Sequence, residues 1–272
     1  MSVPNPRSYL QLWNLVADGA EVETSSSWLF SVRRGEEAAT LKVLKPGSDE
    51  GNAAPLLRYL DGHGAVRLLA ADAHALLMER ATGSRSLMAM ALSGDDTGAA
   101  EILADVAEKL HAPRDKPRPE GLIPLTDWFS ALFAREAQRP LVRRCAAVAR
   151  RLLASQQDIR PLHGDLHHDN VLDGGPRGWL AIDPKGLLGD RAYDFANLIG
   201  NPRPHGKIVH DAERMRRVSA IYAARSGLDV DRIRAFALAH AALAASWDMD
   251  GGDPSYRLKC AEVFAAAIGE AS

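Results

Sequence analysis

An aspartate and an asparagine stand five residues apart in the segment HGDLHHDN, which spans residues 163–170. Another aspartate, Asp183, directly follows the apolar run WLAI at residues 179–182. In phosphoryl transfer, one carboxylate orients the acceptor hydroxyl and takes its proton, while an amide oxygen and another carboxylate hold magnesium on the nucleotide phosphates. Magnesium prefers hard oxygen ligands in a tight octahedron, and the short side chains of Asn and Asp provide them. The spacing of Asp165, Asn170 and Asp183 therefore suits phosphoryl transfer.

The same segment leaves other interpretations open. Taken alone, Asp165 would be interpreted as the cap of a turn or helix. The imidazoles of His163, His167 and His168 suit zinc or iron, although their spacing matches neither H-E-x-x-H nor a Cys/His cluster. A protein kinase would carry an A-P-E anchor after the metal-binding aspartate, and the sequence after Asp183 has none. A zinc hydrolase and a non-catalytic nucleotide-binding protein stay as alternatives from other classes.

Composition narrows the class of protein. The chain has 272 residues, of which 46% are apolar and 25% charged, as in an ordinary globular protein. A net charge of −2 gives no basic excess for nucleic acid or an anionic membrane. Two cysteines form no disulfide framework, the N-terminal residues lack a secretory pattern, and no run approaches the ~20 apolar residues of a membrane span. We therefore expect a cytoplasmic protein with a small-molecule partner and neither a nucleic-acid nor a membrane partner; its oligomeric state is not indicated.

Hydrophobic periodicity divides the chain into two parts. Strands are predicted at residues 20–24, 28–33, 38–44, 66–71 and 75–79, with one helix at residues 50–60. Beyond residues 80–83 the pattern becomes helical, at residues 101–111, 126–139, 141–155, 211–226, 231–247 and 254–268, with short strands at 171–172 and 179–182. This predicts an α+β protein with a small antiparallel-sheet lobe at residues 1–80 and a larger, mostly helical lobe at residues 81–272. A cleft between two such lobes is a natural ligand site.

The segment HGDLHHDN, followed by IDP at residues 182–184, resembles the catalytic loop of the aminoglycoside phosphotransferase superfamily. Further segments resemble its branch of streptomycin kinases and hydroxyurea phosphotransferases, in the same order: KVL at 42–44, LDGHGAV at 60–66, LMER at 77–80 and GDRAYDFANL at 189–198. The resemblance implies a protein-kinase-like two-lobed fold. It also implies transfer of the γ-phosphoryl group of ATP to a hydroxyl of an aminoglycoside-like, streptomycin-type acceptor, or of another small hydroxylated metabolite or amino sugar. In that case Asp165 is the catalytic base, and Asn170 and Asp183 are the magnesium ligands.

The resemblance also implies which residues bind ATP. Lys42 would contact the α- and β-phosphates, with Glu50 as its ion-pair partner, although Glu36 and Glu37 compete for that role. The remaining residues implied for ATP binding lie in the first hairpin turn and in a hinge: Ser25, Ser26, Ser27, Met78, Glu79 and Ala81. Hydroxyl and N–H groups of the turn can bind phosphate, yet a serine-rich turn is more often only a turn. The hinge would bind adenine through its backbone, and its methionine fits a core position equally well.

Acidic residues near the C-terminus suggest how the acceptor is bound. A rim of carboxylates would pair with the ammonium or guanidinium groups of a cationic acceptor, and one histidine of the loop would border it; the residues are His168, Asp248, Asp250 and Asp253. Two more residues have structural interpretations. Asp194 is interpreted as a helix cap, while the resemblance makes it a support for the catalytic loop. His240 lies on an apolar helical stripe and is interpreted as a core histidine.

Overall fold

A computed structural model describes residues 5–47 and 52–269. Its strands are β1 (Val16–Glu23), β2 (Ser27–Arg34), β3 (Glu37–Leu44), β4 (Leu68–Ala71), β5 (Ala75–Glu79), β6 (Ile123–Pro124), β7 (Ile159–Leu162), β8 (Val171–Asp173), β9 (Trp179–Ala181) and β10 (Leu187–Asp190). Its α-helices are α1 (Ser8–Leu12), α2 (Ala53–Leu60), α3 (Leu87–Leu92), α4 (Asp96–His111), α5 (Leu125–Trp128), α6 (Ser130–Arg135), α7 (Pro140–Ala154), α8 (Asp194–Ile199), α9 (Gly206–Val209), α10 (Ala212–Ser226), α11 (Val230–Asp248) and α12 (Ser255–Ala267).

The N-terminal part is an antiparallel sheet with the strand order β1-β2-β3-β5-β4. Side chains alternate between the two faces of a strand, and one face buries Val32, Leu41 and Val43 in a core of its own beneath α1. Lys42 lies between two of these residues in β3, so its side chain points to the other face. Helix α2 covers the sheet and packs its leucines into the larger core of the C-terminal part. Its predicted start at residue 50 lies outside the described residues.

The C-terminal part is built around α11, which is buried along most of its length. The helix is rich in alanine, and small side chains let α7, α8, α10 and α12 pack closely against it. A sheet at the N-terminal end and a mostly helical remainder confirm the predicted α+β class. Among the described residues, no helix has the length and apolar character that crossing a membrane requires.

Two parts of the helical region differ from the expectation. The helix predicted at 126–139 is two short helices, α5 and α6, because the chain breaks at Phe129, where φ is −80° and ψ is 0°. The Phe129 ring is fully buried and packs edge-on against Tyr193 at 5.5 Å, so the break places this ring in the core. Helix α3 was not predicted. It begins at a serine cap, where Ser86 Oγ accepts a hydrogen bond from Ala89 N–H at 3.2 Å.

Two small sheets carry the segment at residues 163–170. One has the order β6-β10-β7, and the other pairs β8 with β9. Strand β7 ends at Leu162 and strand β8 begins at Val171, so both ends of the loop are fixed by backbone pairing. Sheet β6-β10-β7 was not predicted, because strands of two to four residues are too short to show an alternating pattern.

Candidate active site

A buried carboxylate, that of Asp194 at the start of α8, anchors the loop between β7 and β8 through hydrogen bonds to its backbone. Its Oδ2 accepts hydrogen bonds from His163 N–H at 2.9 Å and from His111 Nε2 at 2.8 Å, and its Oδ1 accepts from Gly164 N–H at 2.7 Å. Burial alone would raise the pKa of Asp194, but these hydrogen bonds and the neighbouring histidines hold it below its usual value. Asp194 therefore supports the loop, as the resemblance implied. The capping interpretation suits Asp190 instead, which accepts from Ala192 N–H at 3.0 Å.

His163 fixes the backbone on both sides of the loop. Its Nε2 lies 2.8 Å from the Ile182 carbonyl oxygen, and its Nδ1 accepts the Asp165 N–H at 3.2 Å. This pairing assigns the proton to Nε2 in the neutral ring. Burial lowers the pKa of His163, which favours that neutral form, although nearby carboxylates oppose the shift. Since both ring nitrogens of His163 bind backbone groups, this imidazole is not free to bind a zinc ion.

Asp165 is oriented by two side-chain amides. Its Oδ1 accepts a hydrogen bond from Asn197 Nδ2 at 2.9 Å, and its Oδ2 lies 3.4 Å from Asn170 Nδ2. The carboxylate keeps 37% of its side-chain surface exposed. One oxygen is therefore firmly held, and the other has only a long contact. Such a carboxylate can accept a proton from a hydroxyl placed beside it.

Asn170 and Asp183 meet at one end of the β8–β9 hairpin. Val171 pairs with Ala181, and Ile182 N–H donates to the Asn170 carbonyl at 2.9 Å. Asn170 Nδ2 donates to the Asp165 carbonyl at 2.8 Å, which turns the amide oxygen away from that carbonyl. Asp183 has φ of 55°, in the left-handed region that few residues other than glycine adopt. The two residues therefore lie close together along the backbone, and an amide oxygen with a carboxylate is a donor set that fits magnesium.

Among the described residues, no group of three or more His, Cys, Asp or Glu side chains is placed to hold a metal ion. A site with two protein ligands suits a magnesium ion that is bound mainly through substrate phosphates and water.

Lys42 reaches this site from the N-terminal sheet. Its Nζ lies 2.9 Å from Asp183 Oδ2, and the lysine side chain is 3% exposed. The ion pair bridges β3 and the segment after β9, so it lies where the N-terminal sheet meets the C-terminal part. Glu50, the expected partner of Lys42, lies outside the described residues.

The other residues expected to bind ATP lie in the same N-terminal sheet or in the segments directly connected to its strands. In the turn between β1 and β2, Ser27 is buried and its N–H donates to Thr24 Oγ1 at 2.9 Å, whereas Ser25 is exposed and Ser26 is half-buried. Met78 is buried in β5. The Glu79 carboxylate accepts hydrogen bonds from Arg67 and Arg177, and Ala81 lies in the connection that follows β5.

A cavity of about 710 Å³ opens beside Asp165 in the helical part. Trp128 and Trp247 form an aromatic wall, with ring centroids 5.1 Å apart. The charged residues that line the cavity are Asp165, Asp169, Lys185, Arg203 and Arg257. Its size and its mixture of aromatic and charged groups suit a polar small molecule.

The four residues expected to bind the acceptor do not line this cavity. Asp248 pairs with Arg257 Nε at 2.6 Å, Asp250 pairs with Arg135, and Asp253 accepts a hydrogen bond from Ser255 N–H, at the start of α12, at 2.9 Å. These carboxylates are therefore already paired with nearby cations or with backbone N–H groups. His168 is buried on the side of α3, while its neighbours in the chain, His167 and Asp169, face the cavity.

Asn197 is a site residue that the sequence reasoning missed. It lies one helical turn after Asp194 in α8, so both side chains project toward the loop. The sequence feature that could have identified Asn197 is the run DFAN at residues 194–197, where an Asn follows an Asp by three residues. His240 was expected in the core and is buried there, but its Nε2 lies 3.1 Å from Asn197 Oδ1.

The protein should begin to lose stability as the pH falls below about 6.5, well above the pH range in which carboxylates titrate. Burial lowers the pKa of His163, and it lowers the pKa of His168 and of His240 to about 3. The unfolded chain binds protons below about pH 6.5, whereas these rings stay neutral in the fold. Stability is therefore lost as pH falls through this range, by about 1.4 kcal/mol per pH unit for each histidine.

Thermal unfolding between about pH 7.5 and about pH 5 measures this loss. His168→Gln should reduce the slope of Tm against pH, and His63→Gln, at an exposed histidine, is the matched control. A Tm that is constant across this range would contradict the assignment of neutral buried rings.

The chain is similar to known kinases in sequence and in fold. The family model described as aminoglycoside/hydroxyurea antibiotic resistance kinase matches residues 12–252. The streptomycin 3''-kinase of Klebsiella pneumoniae is 44% identical over 246 residues, which cover 89% of this chain and 92% of that protein. The streptomycin 6-kinase of Streptomyces glaucescens is 32% identical over 257 residues, with 89% and 81% covered. A crystal structure of aminoglycoside phosphotransferase APH(4)-Ia shares the fold, with a TM-score of 0.67, 15% identity and 98% of each chain covered.

Proposed function

The chain belongs to the aminoglycoside/hydroxyurea antibiotic resistance kinase family, and we propose that it transfers the γ-phosphoryl group of ATP to a hydroxyl of streptomycin or a closely similar aminoglycoside. The observation that carries the proposal is the setting of Asp165. Its carboxylate lines a cavity large enough for a polar small molecule and lies on the same loop as Asn170. A base beside an acceptor cavity and a magnesium donor pair beside a lysine are the parts that phosphoryl transfer requires.

Asp165 orients the acceptor hydroxyl and takes its proton. Asn197 Nδ2 occupies Oδ1 of the carboxylate, which leaves Oδ2 for the hydroxyl. A bound magnesium ion supplies charge neutralisation on the phosphates, and the oxygens of Asn170 and Asp183 are the groups that hold it. His163 and Asp194 keep the loop in one conformation, so the reacting groups are positioned before the substrates bind.

On the nucleotide side, Lys42 binds the α- and β-phosphates. The lysine is already directed into the cleft by its pair with Asp183. The backbone of the segment from Met78 to Ala81 binds adenine, and the serine-rich turn after β1 covers the phosphates. In this assignment residues 1–80 form the nucleotide-binding lobe, and residues 81–272 form the catalytic and acceptor-binding lobe. The pairing of Lys42 with Glu50 stays a prediction. Use of ATP makes the cytoplasm the expected location.

The acceptor binds against Trp128 and Trp247, with Asp169 as the carboxylate that meets its positive charge. Guanidinium groups, which streptomycin carries, stack on aromatic rings and pair with carboxylates. Asp169 is exposed at the cavity wall, whereas Asp248, Asp250 and Asp253 already have partners. The 3''-hydroxyl is the proposed site of transfer, because the 3''-kinase of K. pneumoniae is more similar to the chain than the 6-kinase of S. glaucescens.

An ADP-release screen tests the acceptor. The purified protein is assayed with ATP and magnesium against streptomycin, other aminoglycosides, hydroxyurea and neutral cyclitols. Streptomycin should give the highest kcat/KM. Asp169→Asn should raise the KM for streptomycin by about tenfold without changing the KM for ATP, while Asp253→Asn, a matched change outside the cavity, should alter neither. Preference for a neutral acceptor, or an unchanged acceptor KM in Asp169→Asn, would exclude this mode of binding.

A further inference from the structure

A directional series of hydrogen bonds runs through the core to the proposed base. Trp128 Nε1 donates to the Tyr193 hydroxyl oxygen at 2.8 Å, and that hydroxyl lies 2.9 Å from His240 Nδ1. His240 Nε2 then lies 3.1 Å from Asn197 Oδ1, and Asn197 Nδ2 donates to Asp165 Oδ1 at 2.9 Å. Tyr193 ends a short 3-10 turn that leads into α8, Asn197 lies on α8 and His240 on α11, and these elements pack together. Trp128, His240, Asn197 and Asp165 all line the acceptor cavity.

The two ends of the series together set the proton positions along it. An ionised carboxylate can only accept, so Asn197 turns Nδ2 to Asp165 and its acceptor Oδ1 to His240, whose Nε2 must therefore donate. In a neutral ring Nδ1 then accepts from the Tyr193 hydroxyl, while Tyr193 accepts from the Trp128 indole, which can only donate. The neutral ring then carries its proton on Nε2 and donates it to Asn197 Oδ1. Burial, with Arg257 and Arg203 adding to it, lowers the pKa of His240 to about 3 and keeps the ring neutral.

We propose that His240 is a positioning residue for the reaction: through Asn197 it fixes the orientation of the Asp165 carboxylate. An Asn197 amide turned by half a rotation would present its oxygen to Asp165 Oδ1, and two acceptors would then face each other. The donor from His240 holds the amide in the orientation that places Nδ2 on Asp165. The Asp165 carboxylate is thereby prevented from rotating, and Oδ2 stays toward the cavity.

Asn201 shares the task with His240. Its Nδ2 donates to Asn197 Oδ1 at 3.1 Å and to the Asn197 carbonyl at 2.8 Å. Loss of the His240 donor therefore weakens the orientation of Asn197 without abolishing it. The expected effect of a His240 variant is accordingly smaller than the loss of Asp165 itself, and it falls on kcat rather than on substrate binding.

A double-variant cycle tests the proposal, which rests on the proposed function. His240→Phe keeps an aromatic ring in the core and removes the donor, and it should lower kcat by roughly 10- to 100-fold. The KM for ATP and for streptomycin should stay within about threefold of the parent. Asn197→Ala should lower kcat at least as much. Because His240 acts through Asn197, the double variant should turn over as fast as Asn197→Ala alone.

Two further variants separate positioning from packing. His240→Gln retains an amide donor toward Asn197 and should recover part of the lost kcat. Tyr193→Phe removes the hydroxyl that pairs with the ring and also the acceptor of Trp128 Nε1. It should lower kcat several-fold, while any effect through Trp128 would appear in the KM for streptomycin. Tyr222→Phe is the matched control, because this buried hydroxyl has no hydrogen-bond partner in the part of the chain that the structure describes, and its kcat should equal that of the parent. Tyr193→Phe decides the question if His240→Phe does not fold.

Turnover by the parent protein tests the proposed function, whereas the ratio of the kcat of a variant to that of the parent tests the positioning role of His240. If another acceptor in the screen replaces streptomycin, the same ratios are measured with that acceptor. Multiplicative losses in the cycle, or a Tyr193→Phe variant with the kcat of the parent, would overturn the role of His240.

Discussion

Asp165→Asn should lower kcat by a factor of ~10²–10⁴, the usual contribution of a general base. The replacement keeps the shape of the side chain but cannot accept the proton of the acceptor hydroxyl. Affinity for ATP should stay within about threefold of the parent, because the phosphates are bound by other groups. Steady-state kinetics at saturating streptomycin, together with calorimetric titration of ATP, give both quantities.

Asp253→Asn is the control for this change, since that carboxylate lies outside the cavity and accepts a hydrogen bond from Ser255 N–H. Its kcat should equal that of the parent. A kcat within about threefold of the parent in Asp165→Asn would remove this residue from the chemistry. A large loss of ATP affinity in the same variant would instead indicate a role in nucleotide binding.

Asp183→Ala should nearly abolish the dependence of ATP binding on magnesium and should lower kcat/KM by at least about 10²-fold. The change removes a proposed metal ligand and also the partner that lies 2.9 Å from Lys42 Nζ. Asn170→Ala should have a smaller effect of the same kind, because it removes the other oxygen donor while the Lys42 pair remains. Calorimetric titrations with ATP, with and without magnesium, measure the metal-dependent part.

A comparison of Lys42→Met with Asp183→Ala separates the contribution of the lysine from that of the metal site. Lys42→Met should weaken ATP binding whether or not magnesium is present, whereas Asp183→Ala should act mainly when magnesium is present. If Asp183→Ala and Asn170→Ala both bind ATP with the magnesium dependence of the parent, the ion is held by other residues.

The part of the site that could be predicted from sequence is the part that is local in the chain. Asp165 and Asn170 share one loop, and a hairpin brings Asp183 to them, so their spacing alone indicates one constellation. Lys42 is distant in sequence, and its place in the site was implied only by the resemblance. Its position in the cleft, paired with Asp183, agrees with that implication, while its contact with phosphates stays a prediction.

The acceptor side shows where sequence reasoning stops. Asp248, Asp250 and Asp253 form an acidic cluster in the chain, but their electrostatic partners cannot be recognised locally. Arg135 pairs with Asp250 across more than a hundred positions of sequence, and such a contact follows only from the packing of α6 near the end of α11. A charge that is already paired does not attract a ligand as an isolated charge does.

The fold shows the same division between local and distant causes. The strand alternation around Lys42 and the long apolar helix that became α11 are periodic over many residues and were predicted. The break at Phe129 carries no proline or glycine. It depends on the burial of that ring against Tyr193, a contact between residues far apart in the chain. His240 was likewise placed in the core by its periodicity, but its hydrogen bond to Asn197 depends on how α8 packs on α11.

Transfer of the labelled terminal phosphate of ATP to streptomycin is the most direct test of the central claim. The purified protein is incubated with γ-labelled ATP, magnesium and streptomycin, and the products are separated and examined by mass spectrometry and NMR. The proposed function predicts that the label is covalently attached to streptomycin at the 3''-hydroxyl, and that Asp165→Asn transfers almost none. Label recovered only as inorganic phosphate, with streptomycin unmodified at saturating concentration, would contradict the assignment of the chain as a streptomycin phosphotransferase.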